Sequence, residues 1–278
     1  MTFQEWCISQ KELVRLQFRQ IMGYELDLEN PKTISEKLNW LKIYDSTLLK
    51  TECSDKLSVR GYVKEKLGKE LFLPVLGVYD KFEEIDFSKL PTDYVIKCNH
   101  GSGMNIIVKE GKINKSEAKC KIDRWMKTDY LHLLEFSYKP IIKKIFIEQY
   151  AENAGKVSLT DYKFSCFNGV PKICQVMNDR FTNNLHFNYY DMDFKQLTEI
   201  SRNDHPANYS LIDEIPENWN LMKEYAKILS EDFKFVRVDF YEIDREVRLS
   251  ELTFYPNGGY LKYKDRNTEI QLGDLLSI

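Results

Sequence analysis

The 278-residue chain is 43% hydrophobic and 30% charged, an ordinary balance for a globular protein, and is long enough to bury a substantial core as one large domain or two closely joined lobes. Its formal net charge of −3 gives no bulk attraction to nucleic acid, and no apolar run approaches the roughly 18 residues needed to cross a bilayer. The N-terminal stretch MTFQEWCISQKELVRLQF has no apolar segment ahead of a small-residue cleavage site, so the expected location is the cytoplasm. The six cysteines (Cys7, Cys53, Cys98, Cys120, Cys166, Cys174) form no CxxC pair, which predicts reduced, mostly buried thiols. The four histidines (His100, His132, His186, His205) lack metal-ligand spacing, so no zinc site is expected.

The chain opens helically. Glu12 to Met22 is amphipathic, and Thr33 with Glu36 forms a capping-box pattern ahead of Ile34 to Tyr44. A further helix is predicted over Asp55 to Leu67, with apolar residues at Leu57, Val59, Val63 and Leu67. Strand patterns follow at Pro74 to Tyr79, Tyr94 to Cys98 and Ile106 to Val108, then a helix at Lys115 to Lys127 and an apolar strand at Ile145 to Tyr150. Tyr162 to Phe167 and Lys172 to Met177 flank Asn168-Gly169, a hairpin signal. Another strand is predicted at Leu185 to Tyr190, a helix at Trp219 to Ser230, and a second hairpin, Val236 to Ile243 with Val247 to Phe254, across Asp244-Arg245. The pattern is that of an α+β protein built on antiparallel hairpins.

Four constellations could carry chemistry. In YVIKCNHGSGMNIIV a strand bearing Lys97 runs into Asn99-His100-Gly101-Ser102-Gly103. Small residues let backbone N–H groups close on phosphate oxygens while the lysine supplies positive charge; a plain glycine-rich hairpin turn is the alternative. In Arg237-Val238-Asp239 and Glu251-Leu252-Thr253, period-two alternation puts Arg237 with Asp239, and Glu251 with Thr253, on one face of each strand. Two carboxylates facing each other across a ladder need a compensating charge, and Mg2+ prefers such hard oxygens together with phosphates. The alternative is a solvated strand face on which Arg237 offsets the acids. Glu148-Gln149 ends an apolar strand, where such groups can fix an adenine edge or simply close the strand. Asp161 and Lys163 share a face of their strand, either as site residues or as a surface ion pair.

The order of these motifs, with Asp55-Lys56 upstream, resembles the ATP-grasp superfamily, and more closely its TupA-like branch. The phrases that carry the resemblance are SEKLNWLKIYD, DKLSVRGYVKEKLG, LPVLGVYD, IKCNHGSG, DYKFSCFNG, RVDFYE and SELTFYPNGGY. It implies an ATP-grasp fold: two lobes of antiparallel sheet and helices clamping the nucleotide, preceded by a helical segment. The expected division is 1–90 for the helical segment and first lobe, 91–150 for the small subdomain with the glycine loop, and 151–278 for the C-terminal lobe with the metal hairpin.

The resemblance further implies a Mg-ATP-dependent carboxylate–amine ligase working through an acyl phosphate. Its substrates would be a uronic acid, as free sugar, nucleotide sugar or glycan, and an amino acid or amine in cell-surface polysaccharide assembly. A small-molecule kinase on the same fold, or a glycosyltransferase or non-ligating nucleotide-binding protein, are the alternatives. By position, Lys56 and Lys97 would contact ATP phosphates under a loop of Gly101, Ser102 and Gly103. Glu148 and Gln149 would hold adenine, and Glu152 the ribose. Lys163 would reach the transferring phosphate or the activated carboxylate, Arg237 would be catalytic beside it, and Asn257 and Gly258 would lie on the acceptor side. Asp239 and Glu251 would hold Mg2+, with Thr253 standing where the superfamily usually has Asn.

Overall fold

The computed structural model describes residues 3–129, 133–152, 159–180, 182–183 and 185–278. Cys53, Cys98, Cys120, Cys166 and Cys174 are free thiols; the Cys7 side chain and His132 fall outside the described set. The chain divides into two compact units, Met1–Ser46 with Asn153–Ile278, and Thr47–Glu152. The cuts thus fall after residues 46 and 152, where the sequence suggested 90 and 150, and the N-terminal helices belong with the C-terminal half.

The Thr47–Glu152 unit begins with α3 (Leu48–Ser54) and α4 (Val59–Leu67), after α1 (Phe3–Met22) and α2 (Ile34–Tyr44) of the other unit. The helix expected from Asp55 starts four residues later, and α3 was missed. The cause is Asp55: its backbone is extended, and its carboxylate accepts from Leu57 N at 2.9 Å and Ser58 Oγ at 3.0 Å. A short acid that binds the backbone just ahead of it makes a turn in preference to a helix. Four strands follow, β1 (Val75–Tyr79), β2 (Tyr94–Cys98), β3 (Asn105–Val108) and β4 (Ile145–Gln149), with α5 (Lys115–Lys127) between the last two. They pair antiparallel in the order β1-β4-β2-β3. Tyr94, Ile96, Ile145 and Ile147 put one sheet face into a core with Ala118 and Ile122 of α5. Alternation therefore turns Val95, Lys97, Phe146 and Glu148 to the opposite face.

The other unit carries five strands, β5 (Asp161–Phe167), β6 (Val170–Asn178), β7 (His186–Tyr190), β8 (Phe235–Ile243) and β9 (Glu246–Thr253). They form an antiparallel sheet in the order β7-β6-β5-β8-β9. Both hairpin turns use left-handed backbone: Asn168 and Gly169 have φ of 48° and 78°, and Asp244 and Arg245 have 50° and 63°. One face is covered by α6 (Trp219–Ser230), whose Trp219 ring lies 4.9 Å from Phe164. On α2 the expected capping box is present, Thr33 Oγ1 accepting from Glu36 N at 3.2 Å and Glu36 Oε2 from Thr33 N at 2.8 Å. Against α2 packs α7 (Arg266–Asp274), a helix the sequence reading omitted. Their approach depends on Gly273, where a Cβ would sit 2.0 Å from the Lys32 carbonyl oxygen. Among the described residues no helix is long and apolar enough to cross a membrane.

Candidate active site

In the Thr47–Glu152 unit, β2 and β4 place Val95 opposite Glu148 and Lys97 opposite Phe146, so Lys97 and Glu148 are diagonal neighbours on the face away from α5. Lys97 Nζ donates to Glu148 Oε2, and Arg60 Nη2 donates to Glu148 Oε1 at 2.9 Å. Arg60 was not singled out from sequence, because nothing local links a helix residue to a strand residue 88 positions on. It also donates to the Leu73 carbonyl at 3.0 Å and lies over the Phe72 ring. Burial pulls its guanidinium below the ordinary arginine value, and Glu148 opposes that. Glu148 is thus a buried counter-ion for two cations. Gln149 is exposed and, by alternation, on the opposite face from Glu148, so the two side chains do not converge. Its backbone N–H donates to Pro74 O at 2.9 Å.

The glycine loop is anchored at its base and exposed at its tip. Asn99 Nδ2 donates to Asp55 Oδ1 at 2.9 Å and to Ile142 O at 3.0 Å, while Asn99 Oδ1 accepts from Lys144 N at 2.7 Å. Buried His100 places Nε2 3.0 Å from Trp125 O; a carbonyl only accepts, so Nε2 carries the proton. Burial, more than any neighbour, lowers the His100 pKa. Beyond it Ser102 and Gly103 are exposed and Gly103 takes φ of 71°. Lys56 Nζ donates to Gly101 O at 2.7 Å, so it holds the loop directly. Glu152 is an exposed partner of Lys109 at 2.6 Å and of the Tyr150 hydroxyl at 3.2 Å.

In the other unit the sheet face away from α6 carries a charged row. Lys163 pairs in register with Asp239, Asp239 with Glu251, and Arg237 with Thr253. Lys163 Nζ lies 2.8 Å from Asp239 Oδ2 and 3.0 Å from Asp161 Oδ1. Arg237 binds Asp239 in fork geometry, Nε to Oδ1 at 2.7 Å and Nη2 to Oδ2 at 2.6 Å. It reaches Thr253 Oγ1 at 3.3 Å and Glu251 Oε1 at 3.8 Å. Arg180 joins Asp161 at 3.1 Å. Asp161, Lys163 and Asp239 are 2%, 8% and 1% exposed, which removes the surface-ion-pair reading of Asp161 and Lys163 and the solvated-face reading of Asp239. Desolvation works against the Lys163 charge, but Asp239 and Asp161 outweigh it and hold the ammonium above the ordinary lysine value. Arg237 is raised in the same way, against desolvation, chiefly by Asp239.

The donor set suits a hard divalent cation. Asp239 and Glu251 face each other across the ladder, the Thr253 hydroxyl is 3.4 Å from Glu251 Oε1, and Mg2+ is commonly held by one or two carboxylates plus phosphate oxygens. Here the cation lying between the two carboxylates is the Arg237 guanidinium. Among the described residues no group of three or more His, Cys, Asp or Glu side chains is gathered for a metal. After β9, Asn257, Gly258 and Gly259 are all left-handed, with φ of 52°, 63° and 77°. Asn257 Nδ2 donates to Tyr260 O at 2.9 Å and Asn39 Nδ2 to Gly259 O at 2.9 Å, which fixes this turn on α2.

A family model described as TupA-like ATP-grasp matches residues 36–277. A comparison with curated proteins finds no match. Among solved structures, the D-alanine–D-alanine ligase from Bacillus anthracis complexed with ATP is 17% identical, over 73% of this chain and 54% of that one, with a TM-score of 0.42. The corresponding ligase from Helicobacter pylori is 16% identical over 88% and 67%, with a TM-score of 0.46. The N5-carboxyaminoimidazole synthetase from Staphylococcus aureus is 12% identical over 82% and 52%, with a TM-score of 0.45. The chain thus spans a little over half the length of the first of these structures.

Proposed function

The chain belongs to the TupA-like ATP-grasp family, and from that premise we propose that it is a Mg-ATP-dependent ligase that joins a carboxylate to an amine through an acyl phosphate. The observation that carries the reading is the row of buried Lys163 and Asp239 and half-buried Glu251, with Arg237 at its side. It concentrates fixed charge on one sheet face, which is what phosphoryl transfer asks of a protein: positioning and charge neutralisation.

A substrate carboxylate oxygen attacks the γ-phosphorus, ADP leaves, and the acyl phosphate forms; the amine then adds to the acyl carbon and phosphate departs. Lys56 and Lys97 neutralise the ATP phosphates, and the loop Gly101 to Gly103 excludes water from them. Glu148 orients Lys97, its partner in this structure, and Gln149 contributes to adenine binding through its main chain. Lys163, held protonated, binds the oxygens of the transferring phosphoryl group. Arg237, a planar fork already presented to an oxyanion, stabilises the charge that develops there. Mg2+ held by Asp239 and Glu251, with Thr253 beside them, would supply further neutralisation of the phosphates. Asn257 and Gly258 line the acceptor side with backbone N–H groups. The carboxylate is a uronic acid of cell-surface polysaccharide assembly, a choice that rests on family likeness alone.

The test is mass spectrometry of a uronic acid, or its nucleotide-sugar conjugate, incubated with protein, ATP, Mg2+ and a pool of amino acids. A product heavier by one condensation, with stoichiometric ADP and phosphate, is expected. A gain of one phosphate group would mean a kinase.

A further inference from the structure

The charged row does not stop at Lys163. In register, Lys163 lies opposite Gln175, and Gln175 opposite Tyr189, so one line of side chains runs from Glu251 to Tyr189 across all five strands of the sheet. At the Tyr189 end is a cavity of about 30 Å3, lined by Gln175, Tyr189, Arg202, Arg237 and Tyr263 and walled by Ile34 of α2 and Leu272 of α7. The Tyr189 hydroxyl is buried and has no hydrogen-bond partner among the described residues. An unpaired buried hydroxyl costs folding free energy that phenylalanine at the same place would not, so the hydroxyl has a reason other than packing. Arg202 is 7% exposed; its Nε donates to Asp204 Oδ1 at 2.8 Å, and its Nη2 also reaches that carboxylate. Asp204 is the acidic group here and is more open, its side chain 42% exposed. Burial raises the Tyr189 pKa to about 12, so the phenol stays a donor at physiological pH.

We propose that this cavity binds a second, non-reacting carboxylate of the substrate, with the Tyr189 hydroxyl and the Arg202 guanidinium as its recognition groups. A volume of about 30 Å3 holds roughly two water-sized groups, which fits the two oxygens of a planar carboxylate. Tyr189 and Lys163 stand two strands apart, about 10 Å between their backbones. One substrate can therefore lay its reacting end at Lys163 and its carboxylate at Tyr189. This rests on the ligation reading, and it selects the acceptor: an amino acid whose amine and anchored carboxylate are several bonds apart, over a simple amine.

Acetate is the probe, titrated into wild-type protein labelled with 13C-tyrosine, with chloride at equal ionic strength as the control. The Tyr189 ring signal, assigned by its loss in Tyr189→Phe, should shift with acetate and not with chloride. Tyr189→Phe should melt at the wild-type temperature or above it, keep its thermal shift with Mg-ATP, and bind acetate about threefold to tenfold more weakly. In the ligation assay the same variant should raise KM for 6-aminohexanoate and leave that for hexylamine unchanged. A Tyr189 signal that ignores acetate, or equal acetate affinity in the variant, overturns the subsite while ligation stands. Acetate binding as described, in a protein that forms no amide, overturns the ligation reading instead and reduces the subsite to an anion site without an acceptor.

Discussion

Lys163 and Asp239 stand directly opposite each other on adjacent strands, Nζ 2.8 Å from Oδ2, and neither is more than 8% exposed. Asp239 also receives both arms of Arg237, so a single carboxylate anchors two buried cations. Asp239→Asn keeps the shape and removes the charge, leaving Lys163 and Arg237 undercompensated. Breaking a buried ion pair from one side costs about 3–5 kcal/mol. Urea denaturation should show a loss of that order together with loss of turnover.

Glu251 is a contrast, because its side chain is 31% exposed and its contact with Arg237 is long, at 3.8 Å. Glu251→Gln should therefore change apo stability by less than about 1 kcal/mol. The like charges of Asp239 and Glu251 are already offset by Arg237, so relieving them gains little. Turnover should fall by orders of magnitude and nucleotide affinity by much less, read by steady-state kinetics beside calorimetry. Undiminished turnover would take Glu251 out of the proposed metal site.

Lys97 is the corresponding test in the other unit. Mg-ATP should raise the melting temperature of the wild-type protein by mass action. Lys97→Ala should remove most of that shift, while the apo protein stays folded because Arg60 still neutralises Glu148 at 2.9 Å. If nucleotide stabilises the variant as much as the wild type, Lys97 does not serve phosphate.

The pH response follows from the raised groups. Against desolvation, Asp239 and Asp161 raise the pKa of Lys163 above its ordinary value of 10.5, and burial raises Tyr24, Tyr189 and Tyr241 from 10.0 to about 12. A group raised on folding stabilises the native state fully below its unfolded pKa and loses that contribution as pH climbs through the folded one. Stability should accordingly hold to about pH 10 and fall steeply above it, measured by chemical denaturation across pH. Lys163 remains protonated through that range, so it is not the base that frees the amine. The rate should rise from neutral toward about pH 9 as the acceptor amine deprotonates, and Lys163→Arg should lower the profile without moving it.

Local signals carried much of the fold into the sequence. The Thr33/Glu36 capping box opens α2, the strand over Tyr94 to Cys98 and the helices at Lys115 to Lys127 and Trp219 to Ser230 have the expected bounds, and both hairpins turn where Asn168-Gly169 and Asp244-Arg245 stand. Alternation placed Asp239 and Glu251 near each other on one hairpin, but they meet only through a register shift between Asp239 and Phe240; a uniform ladder would have set Ser250 against Asp239. What stayed hidden depends on distant pairing. Lys163 meets Asp239 across 76 residues, Arg60 meets Glu148 across 88, and α7 docks on α2 through Gly273, a residue that reads as a helix breaker. The separation of Glu148 from Gln149 was legible from period two and was overlooked in assigning both to adenine.

Ligation through an acyl phosphate is tested most directly by ADP release with hydroxylamine as the acceptor. Hydroxylamine captures an activated carboxylate as a hydroxamate, whatever the natural amine is. With ATP, Mg2+ and a panel of uronic acids, ADP should form only when a carboxylate is present. Hydroxamate should match it mole for mole, and Asp239→Asn and Glu251→Gln should abolish both. ADP formed with no hydroxamate, alongside a stable phosphoester of the sugar, would contradict the account.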